Sequence, residues 1–473
     1  MSTTTSSTRK SLLWLVAVGF FMQTLDATII NTALPAMAAG LGESPLRMQS
    51  VVVAYSLTMA MLIPASGWIA DRFGTRRVFF AAIVLFVIGS VACALSHNVG
   101  QLVAARVLQG MGGAFLLPVG RLTLLRTVPR AEFLAAMSFV AIPGLIGPLL
   151  GPTLGGWLVQ YASWHWIFLI NVPVGLAGCI VTLRLMPDLR ALLRRRFDGA
   201  GYAMLAFGMV SISLALDGVS SLGLREAGVL LLLVFGFASI TAYWLHALRR
   251  PDPLFDPALF RIPTLSIGLL GNLFARLGSG CMPFLIPLLL QVSMGYTPLH
   301  AGLMMLPIAL AGMAMKRVAT PLITRFGYRR VLVVNTALVG ITMASFGLAT
   351  PEQPVAMRIL QLLVFGAVNS LQFTAMNTVT LRDLDQDMAS SGNSLLSMVQ
   401  MLAMSLGVAA SSVVLAGYGE VFGHASAPAT LHAFQATFAS MGLITVASAL
   451  IFWHLPPHAR SVQPEEPEVS GQR

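Results

Sequence analysis

Apolar residues occur along this chain in fourteen long stretches, separated by short polar segments that hold most of the charged residues. Each stretch is close to or longer than the ~20 residues with which an α-helix crosses the hydrocarbon core of a bilayer. The pattern predicts an all-α integral membrane protein with 14 transmembrane helices, whose boundaries we expect to within about three residues. The predicted spans are residues 12–40, 48–70, 78–97, 100–121, 133–159, 165–187, 199–217, 226–248, 263–291, 300–321, 329–348, 354–378, 393–417 and 433–455.

The composition also indicates a membrane protein. Of the 473 residues, 56% are hydrophobic and 10% are charged, and the mean hydropathy is +0.80. The polar start, MSTTTSSTRK, leads into an apolar segment that is far longer than a signal-peptide core. This segment has no small-residue cleavage site before Asp26, so we expect it to be retained as the first span. The three cysteines lie in apolar segments, and their odd number indicates no disulfide framework.

The net charge of +11 and the pI near 10.4 indicate the orientation of the chain and not nucleic-acid binding. With the N-terminus in the cytoplasm, most of the 29 Lys and Arg residues fall in the inner loops and the tails. The predicted outer loops hold only Arg47, Arg225 and Arg358. Such an excess of positive charge is typical of the cytoplasmic side. We therefore expect both termini in the cytoplasm, the lipid bilayer as a partner, and no nucleic acid.

A short internal repeat divides the chain into two halves. The sequence RFGTRR follows span 2 at 72–77 and RFGYRR follows span 10 at 325–330, a spacing of 253 residues. Two six-helix bundles with two extra central helices between them explain this spacing, and transporters with parallel halves bind substrate between them. The predicted domains are an N-terminal six-helix bundle at 1–187, a linker with helices 7 and 8 at 188–262, a C-terminal six-helix bundle at 263–455 and a disordered cytoplasmic tail at 456–473.

Asp26 is the one carboxylate that the pattern places deep within a span. A charge at bilayer depth costs at least ~2.5 kcal/mol on insertion scales, so such residues are candidates for function. A proton-coupled carrier needs a group that binds and releases protons, and a carboxylate does so when an arginine approaches and withdraws. The alternative for Asp26 is a structural hydrogen bond that stabilises a broken helix.

Cations without an obvious carboxylate partner also lie within the spans. Arg121 on span 4 and Arg276 on span 9 are the main cases, and an uncompensated cation in an aqueous cavity suits an anionic ligand. The alternative for Arg276 is hydrogen bonding to the backbone of neighbouring helices, and helix hydrogen bonding is likewise the alternative for the amides of span 12. The predicted substrate cavity consists of Asn31, Tyr55, Gln109, Arg121, Arg276, Asn369, Gln372 and Asn377.

The sequence lacks the motifs of several other classes of protein. Neither of its two lysines, Lys10 and Lys316, follows a glycine, so it has no GxxxxGK[ST] phosphate-binding loop of an ATP-driven pump. Its eight histidines are scattered without HExxH spacing, and MGYT at 294–297 is not a repeated channel filter. We therefore expect a secondary carrier of small molecules and protons, not an enzyme, without cofactors or metals and functional as a monomer.

Seven motifs occur along the chain: LDATIINTALP at 25–35, GWIADRFGTRR at 67–77, RVLQGMGGA at 106–114, GPLLGPTLGG at 147–156, WHWIFLINVPVG at 164–175, AGLMMLP at 301–307 and SSGNSLLSMVQ at 390–400. Their order and content resemble the major facilitator superfamily, in its fourteen-helix drug:proton antiporter branch of the EmrB/QacA type. The resemblance implies efflux of drugs across the bacterial inner membrane, and it implies proton coupling through Asp26 and Arg106.

Two of these motifs also have a direct physical interpretation. In the loop after span 2, glycines permit a sharp turn, and we expect Asp71 to pair with the neighbouring arginines in one transport state; incidental pairs in a solvated loop are the alternative. In span 5, glycines at every fourth position permit close helix approach, and prolines should bend the helix. The family interpretation is an interface that seals one side, and tight packing is the alternative. The residues are Gly67, Asp71, Arg72, Gly74, Arg76 and Arg77 in the gating loop, and Gly147, Pro148, Gly151, Pro152, Gly155 and Gly156 in the antiporter motif.

Two substrate classes stay open on the sequence. The resemblance implies export of hydrophobic or amphiphilic drugs, of the multidrug-resistance type. The excess of arginine within the spans favours a small organic anion, such as citrate or a metal–citrate chelate. Uptake, or a sensor that only binds its ligand, is a further alternative, but the fifth-helix motif favours antiport and therefore export.

Overall fold

A computed structural model describes residues 6–190, 196–220, 226–423 and 427–456, and most of these residues are helical. Arg225 and residues 457–473 of the predicted tail lie outside the described residues. The helices are α1 Ser6–Leu41, α2 Gln49–Phe73, α3 Thr75–Ala94, α4 Val99–Thr127, α5 Arg130–Tyr161, α6 Trp166–Leu169, α7 Asn171–Leu185, α8 Gly199–Ser220, α9 Glu226–Arg249, α10 Pro263–Ser279, α11 Met282–Leu288, α12 Pro298–Leu303, α13 Leu306–Phe326, α14 Tyr328–Ser345, α15 Val355–Leu381, α16 Gln386–Phe422 and α17 Ala427–Phe452.

The prediction of fourteen transmembrane helices is confirmed, because the described residues contain 14 segments that are long and apolar enough to cross a membrane. Three spans differ from single continuous helices: span 6 consists of α6 and α7, span 9 of α10 and α11, and span 10 of α12 and α13. The start of span 13 was predicted too late, at 393, whereas α16 begins at Gln386. Its first turns, QDMASSG, are polar and helical, so hydropathy alone does not detect them.

The two six-helix bundles repeat the same helix pairings. In the first bundle α1 packs on α5, α2 on α4, and α3 on both α4 and α7. The corresponding spans of the second bundle pair in the same way, with α10 on α16, α13 on α15, and α14 on both α15 and α17. The 253-residue repeat in the sequence therefore corresponds to a repeat of structure.

The loops of that repeat have the same backbone conformation in both halves. Gly74 ends α2 with φ 97° and ψ 142°, and Gly327 ends α13 with φ 77° and ψ 154°. Glycine adopts positive φ without the steric cost that a Cβ atom imposes. Each glycine thus allows the chain to leave one span and enter the next within a single residue.

Contacts between the halves also follow the repeat, since α2 packs on α16 and α5 packs on α12 and α13. The extra helix α8 lies against α2 and α16, and α9 packs mainly on α8. Below, the face of the molecule at the start of α1 is called the N side, and the opposite face is called the far side. Odd-numbered spans run from the N side to the far side.

Candidate functional site

Asp26 forms a buried ion pair with Arg106. The carboxylate Oδ2 of Asp26, on α1, lies 2.6 Å from Nη1 of Arg106, on α4, and both side chains are only 1% exposed. Charge-assisted bonds of this length are among the stronger hydrogen bonds in proteins. Both residues that the family resemblance assigned to proton coupling therefore lie in direct contact.

Two further polar side chains donate to the carboxylate of Asp26. Gln109 donates from Nε2 to Oδ1 of Asp26 at 2.8 Å, and Asn171, the first residue of α7, donates to the same oxygen at 3.1 Å. Gln109 also accepts from Arg106 at 2.6 Å and donates to the hydroxyl of Ser90, on α3, at 2.8 Å. These contacts determine the orientation of the Gln109 amide. Together with Arg106, they give Asp26 three hydrogen-bond donors.

Arg106 is held by groups that do not depend on Asp26. Its guanidinium lies 4.2 Å from the centroid of the Tyr55 ring, and its Nε donates to the carbonyl of Val51 at 3.3 Å. Both residues belong to α2. An aromatic face and a carbonyl oxygen stabilise a cation, so Arg106 retains partners when its contact with Asp26 is broken.

Arg276 has different surroundings, without a carboxylate among its described contacts. Its Nε donates to Oδ1 of Asn272, one turn earlier on α10, at 3.2 Å, and its guanidinium lies 4.6 Å from the centroid of the exposed Phe373 ring on α15. The buried Nη2 atom has no hydrogen-bond partner among the described residues. With Nε occupied, the end of the guanidinium formed by its two Nη atoms stays available to a ligand.

A chain of amides connects Arg276 to α15 and α16. Gln400 donates to Asn377 at 2.6 Å and to Asn272 at 3.5 Å, which links the two amides to the arginine. Asn377, a predicted cavity residue, therefore belongs to the surroundings of Arg276. Gln400 and Asn272 were not predicted, although Gln400 ends one of the seven motifs.

Gln372 does not fit its predicted place in the substrate cavity. It is 2% exposed, accepts from Asn335 on α14 at 2.8 Å and donates to Thr336 at 2.6 Å. Its amide groups are engaged in packing between α14 and α15, the alternative that the sequence left open. Asn369, one turn earlier on α15, is partly buried.

Several buried polar atoms lack a hydrogen-bond partner in the described part of the chain. A buried polar group without a partner costs about 1–3 kcal/mol, so such atoms indicate contact with water or a ligand. They include the predicted cavity residues Asn31, Tyr55, Arg121 and Arg276, through Oδ1, Oη, Nε and Nη2 respectively. Gln23, not predicted, has an unpartnered Oε1 and lies two helical turns before Asn31 on α1.

The gating loop forms an ion pair that the sequence did not predict. Asp71 lies 2.5 Å from Arg126, in the last turn of α4, with both side chains partly exposed. In this state Asp71 therefore pairs with Arg126, and its pairing with the neighbouring Arg72, Arg76 or Arg77 stays a prediction for another transport state. The end of α4 lies beside the end of α2, which brings a distant arginine closer than those in the loop.

Two other arginines of the loop have separate partners. Arg72 stacks over Trp68, in its own helix, at 5.2 Å from the ring centroid, and Arg77 lies 3.7 Å from Asp188, just after α7. Thr75 donates its hydroxyl to the carbonyl of Pro187 at 2.8 Å. The segment after span 6 therefore closes over the loop of the first half.

The glycines of the antiporter motif bring α5 into close contact with α1. A side chain at Gly147, Gly151 or Gly155 would collide with α1, at or next to Thr24, Thr28 and Thr32 respectively. Because the two helices are so close, threonine hydroxyls of α1 reach the backbone of α5. Thr28 donates to the carbonyl of Gly147 at 3.4 Å, and Thr32 donates to the carbonyl of Pro152 at 3.1 Å. Residues spaced by four on each helix thus form one continuous interface. Helix α5 is unbroken as far as Tyr161 despite Pro148 and Pro152.

Gly156 faces the second half instead. A side chain there would collide with the carbonyl of Pro298, and a side chain at Gly302, on α12, would collide with the carbonyl of Pro152. Thr153 donates to the carbonyl of Gly302 at 3.3 Å. These contacts lie toward the end of α5, so the two halves are joined at the far side.

Known proteins are similar to this chain along most of its length. The sequence model of the protein family described as Major Facilitator Superfamily matches residues 16–408. The chain is 52% identical to a protein of Serratia proteamaculans over 94% of its length and 93% of the relative, and 52% identical to a protein of Pectobacterium atrosepticum over 94% and 95%. Both relatives carry the provisional name multidrug resistance protein MdtD.

A solved structure shows the same fold at low sequence identity. The fold is similar to that of a POT family transporter in complex with a thioalcohol-conjugated peptide, with a TM-score of 0.68, 16% identity, and coverage of 93% of this chain and 94% of that chain. Together with the bacterial relatives, the fourteen candidate spans identify a multi-pass protein of the bacterial inner membrane. The resemblance inferred from the seven motifs is confirmed, and the chain belongs to the major facilitator superfamily.

Proposed function

We propose that the protein is a proton-coupled antiporter that exports hydrophobic or amphiphilic drug-like molecules from the cytoplasm. The observation that carries this proposal is the buried Asp26–Arg106 pair inside the N-terminal bundle of a superfamily member. The names of relatives that share half of its residues support the substrate class.

Proton coupling follows from the contacts of the pair. Asp26 accepts hydrogen bonds from Arg106, Gln109 and Asn171, and we propose that proton exchange at its carboxylate accompanies movement of Arg106 away from Oδ2. Arg106 can move in this way because Tyr55 and Val51 continue to hold it. Each proton that enters down a membrane potential of ~100 mV supplies ~2.3 kcal/mol, which is available to expel substrate.

Closure at the far side supports alternating access. Gly156 and Gly302 each allow the backbone of the other half to approach, and Gln291 donates to the carbonyl of Thr32 at 3.0 Å. We propose that these contacts open when substrate leaves, while the ion pair of Asp71 with Arg126 belongs to the gate at the N side.

We also propose that the N side is cytoplasmic, because the arginine-rich loops lie there. A reporter that is active only in the cytoplasm should be active when fused after Asp198 and inactive when fused after Glu352. The opposite pattern of activity would reverse the orientation and, with it, the direction of transport.

Export of a small organic anion is the second candidate function. It is favoured by the buried Nη2 of Arg276 and Nε of Arg121, which have no protein partner in the described residues. The free end of Arg276 suits a carboxylate, because an arginine binds it with two parallel hydrogen bonds and a lysine does not.

Counterflow in proteoliposomes distinguishes the two candidates. We expect the wild-type protein to exchange lipophilic cations if it is a drug exporter, and citrate-like anions if Arg276 binds a carboxylate. In the second case Arg276→Lys should reduce anion exchange by about tenfold or more, the loss expected for a bond to a charged group. Arg317→Lys, at an exposed position of α13, is the matched control.

Each outcome assigns Arg276 to one role. Loss of anion exchange in Arg276→Lys, with unchanged melting temperature, supports the anion site. A fall in both the melting temperature and the exchange of every substrate indicates a structural arginine. Unchanged anion binding in the purified variant would exclude Arg276 from an anion site and leave drug export as the better proposal.

A further inference from the structure

A cavity of about 470 Å³ lies at the N-side end of α9, away from the interface between the two halves. Its walls are the last turns of α9 and the segment that leads to α10. This volume falls in the range of ~300–1,000 Å³ that is usual for small-molecule sites. The lining residues used below are Trp244, Leu248, Arg250, Asp256, Phe260 and Arg261.

The polar part of this cavity carries a positive charge. Arg250 and Arg261 are exposed, and neither forms an ion pair with another described residue. Asp256 is the acidic residue in the lining, and its Oδ1 accepts from the amide of Ala258 at 2.8 Å. With one carboxylate against two guanidinium groups, the cavity suits an anion, and a phosphate group is a good partner for arginine.

The apolar part of the cavity continues into the lipid-facing surface of α9. Trp244 and Phe260 meet edge to face at 5.1 Å, and Leu248, which also lines the cavity, is 58% exposed. Leu245, on the same helix, is 52% exposed. Tryptophan is enriched where membrane meets water, and the candidate span of α9 ends at Arg249, so we expect the cavity at headgroup level with hydrocarbon on one side.

Hydrogen bonds hold the walls in place without a ligand. Tyr243 donates to the carbonyl of Phe255 at 3.4 Å and accepts from its amide at 3.1 Å. Asp198, before α8, accepts from His246 at 2.9 Å and from the amide of Leu254 at 3.3 Å. Burial by itself would raise the pKa of Asp198, but these bonds lower it, so the carboxylate stays ionised and keeps both partners.

We infer that this cavity binds the phosphate headgroup of an anionic phospholipid, with its acyl chains along α9. Basic pockets at the membrane surface bind such headgroups, and the exposed leucines supply the apolar contact that a soluble phosphate does not need. The inference requires only that the chain spans a bilayer, and it is independent of what the protein transports.

Native mass spectrometry of the full chain, released from a mixture of phosphatidylglycerol and phosphatidylethanolamine, tests this site. We expect Arg250→Gln with Arg261→Gln to weaken phosphatidylglycerol binding roughly 10- to 30-fold, the effect of two charges near a membrane surface. Arg184→Gln with Arg330→Gln removes the same charge from exposed residues away from the cavity and should leave binding unchanged.

Quenching of Trp244 fluorescence locates the lipid. The emission of Trp244 is the part of the fluorescence that Trp244→Phe removes. Phosphatidylglycerol with brominated acyl chains should quench this emission more strongly than brominated phosphatidylethanolamine does. The Arg250→Gln, Arg261→Gln double variant should abolish this difference between the two lipids. Equal binding by the cavity and control variants would overturn the proposal. So would displacement of the lipid by glycerol 3-phosphate at the same concentration, which would indicate a site for soluble phosphates.

Discussion

Asp26→Asn is expected to reduce transport driven by a proton gradient to background, while exchange of substrate without a gradient persists. Asparagine has almost the same shape and can still accept from Gln109 and Asn171, which bond to Oδ1 of the native residue. It cannot bind or release a proton. Measurement of ΔpH-driven efflux and of counterflow on the same proteoliposomes separates the two activities.

The variant also leaves Arg106 as a buried cation without its counter-ion. Breaking a buried pair in this way costs about 3–5 kcal/mol, although the Tyr55 ring and the Val51 carbonyl reduce the loss here. Asp26→Asn combined with Arg106→Gln removes both charges and should recover the melting temperature without recovering proton-driven efflux. Undiminished efflux in Asp26→Asn would instead assign Asp26 to structure.

Gly156→Val is expected to abolish transport by keeping the far side open. The added side chain would collide with the carbonyl of Pro298 and with Leu299, which are backbone positions of the other half and cannot rotate away. Gly302→Val should have the same effect, because the collision there is with the backbone at Pro152. Interiors are close-packed, so α5 and α12 must separate to accommodate either change.

Labelling of a cysteine at position 153 reports this separation. In a chain whose native cysteines are replaced by serine, Thr153→Cys should react faster with a membrane-impermeant maleimide when Gly156→Val is present. Gly417→Val is the matched control, since a side chain at Gly417, also within a helix, meets no atom within 4 Å. Normal transport and a protected cysteine in Gly156→Val would show that this contact does not form the gate.

The sequence by itself determined the parts of this protein that depend on local physics. A helix needs about 20 apolar residues to cross the hydrocarbon core, so the hydropathy of the sequence was enough to identify the fourteen spans. Asp26 was identifiable because a carboxylate at bilayer depth is costly wherever its partner lies. The fourfold spacing of Gly147, Gly151 and Gly155 places them on one helix face whatever packs against it.

Only the tertiary structure decided which residues meet. Asp26 contacts Arg106, 80 positions away, and Asn171, 145 positions away. Asp71 pairs with Arg126 and not with the arginines beside it, and the amide of Gln372 is used within its own bundle. Hydropathy specifies that a helix crosses the membrane, but not its rotation or its depth against a neighbour. A rotation of 100° per residue changes the partner of every side chain, so these contacts follow from the packing of the helices against one another.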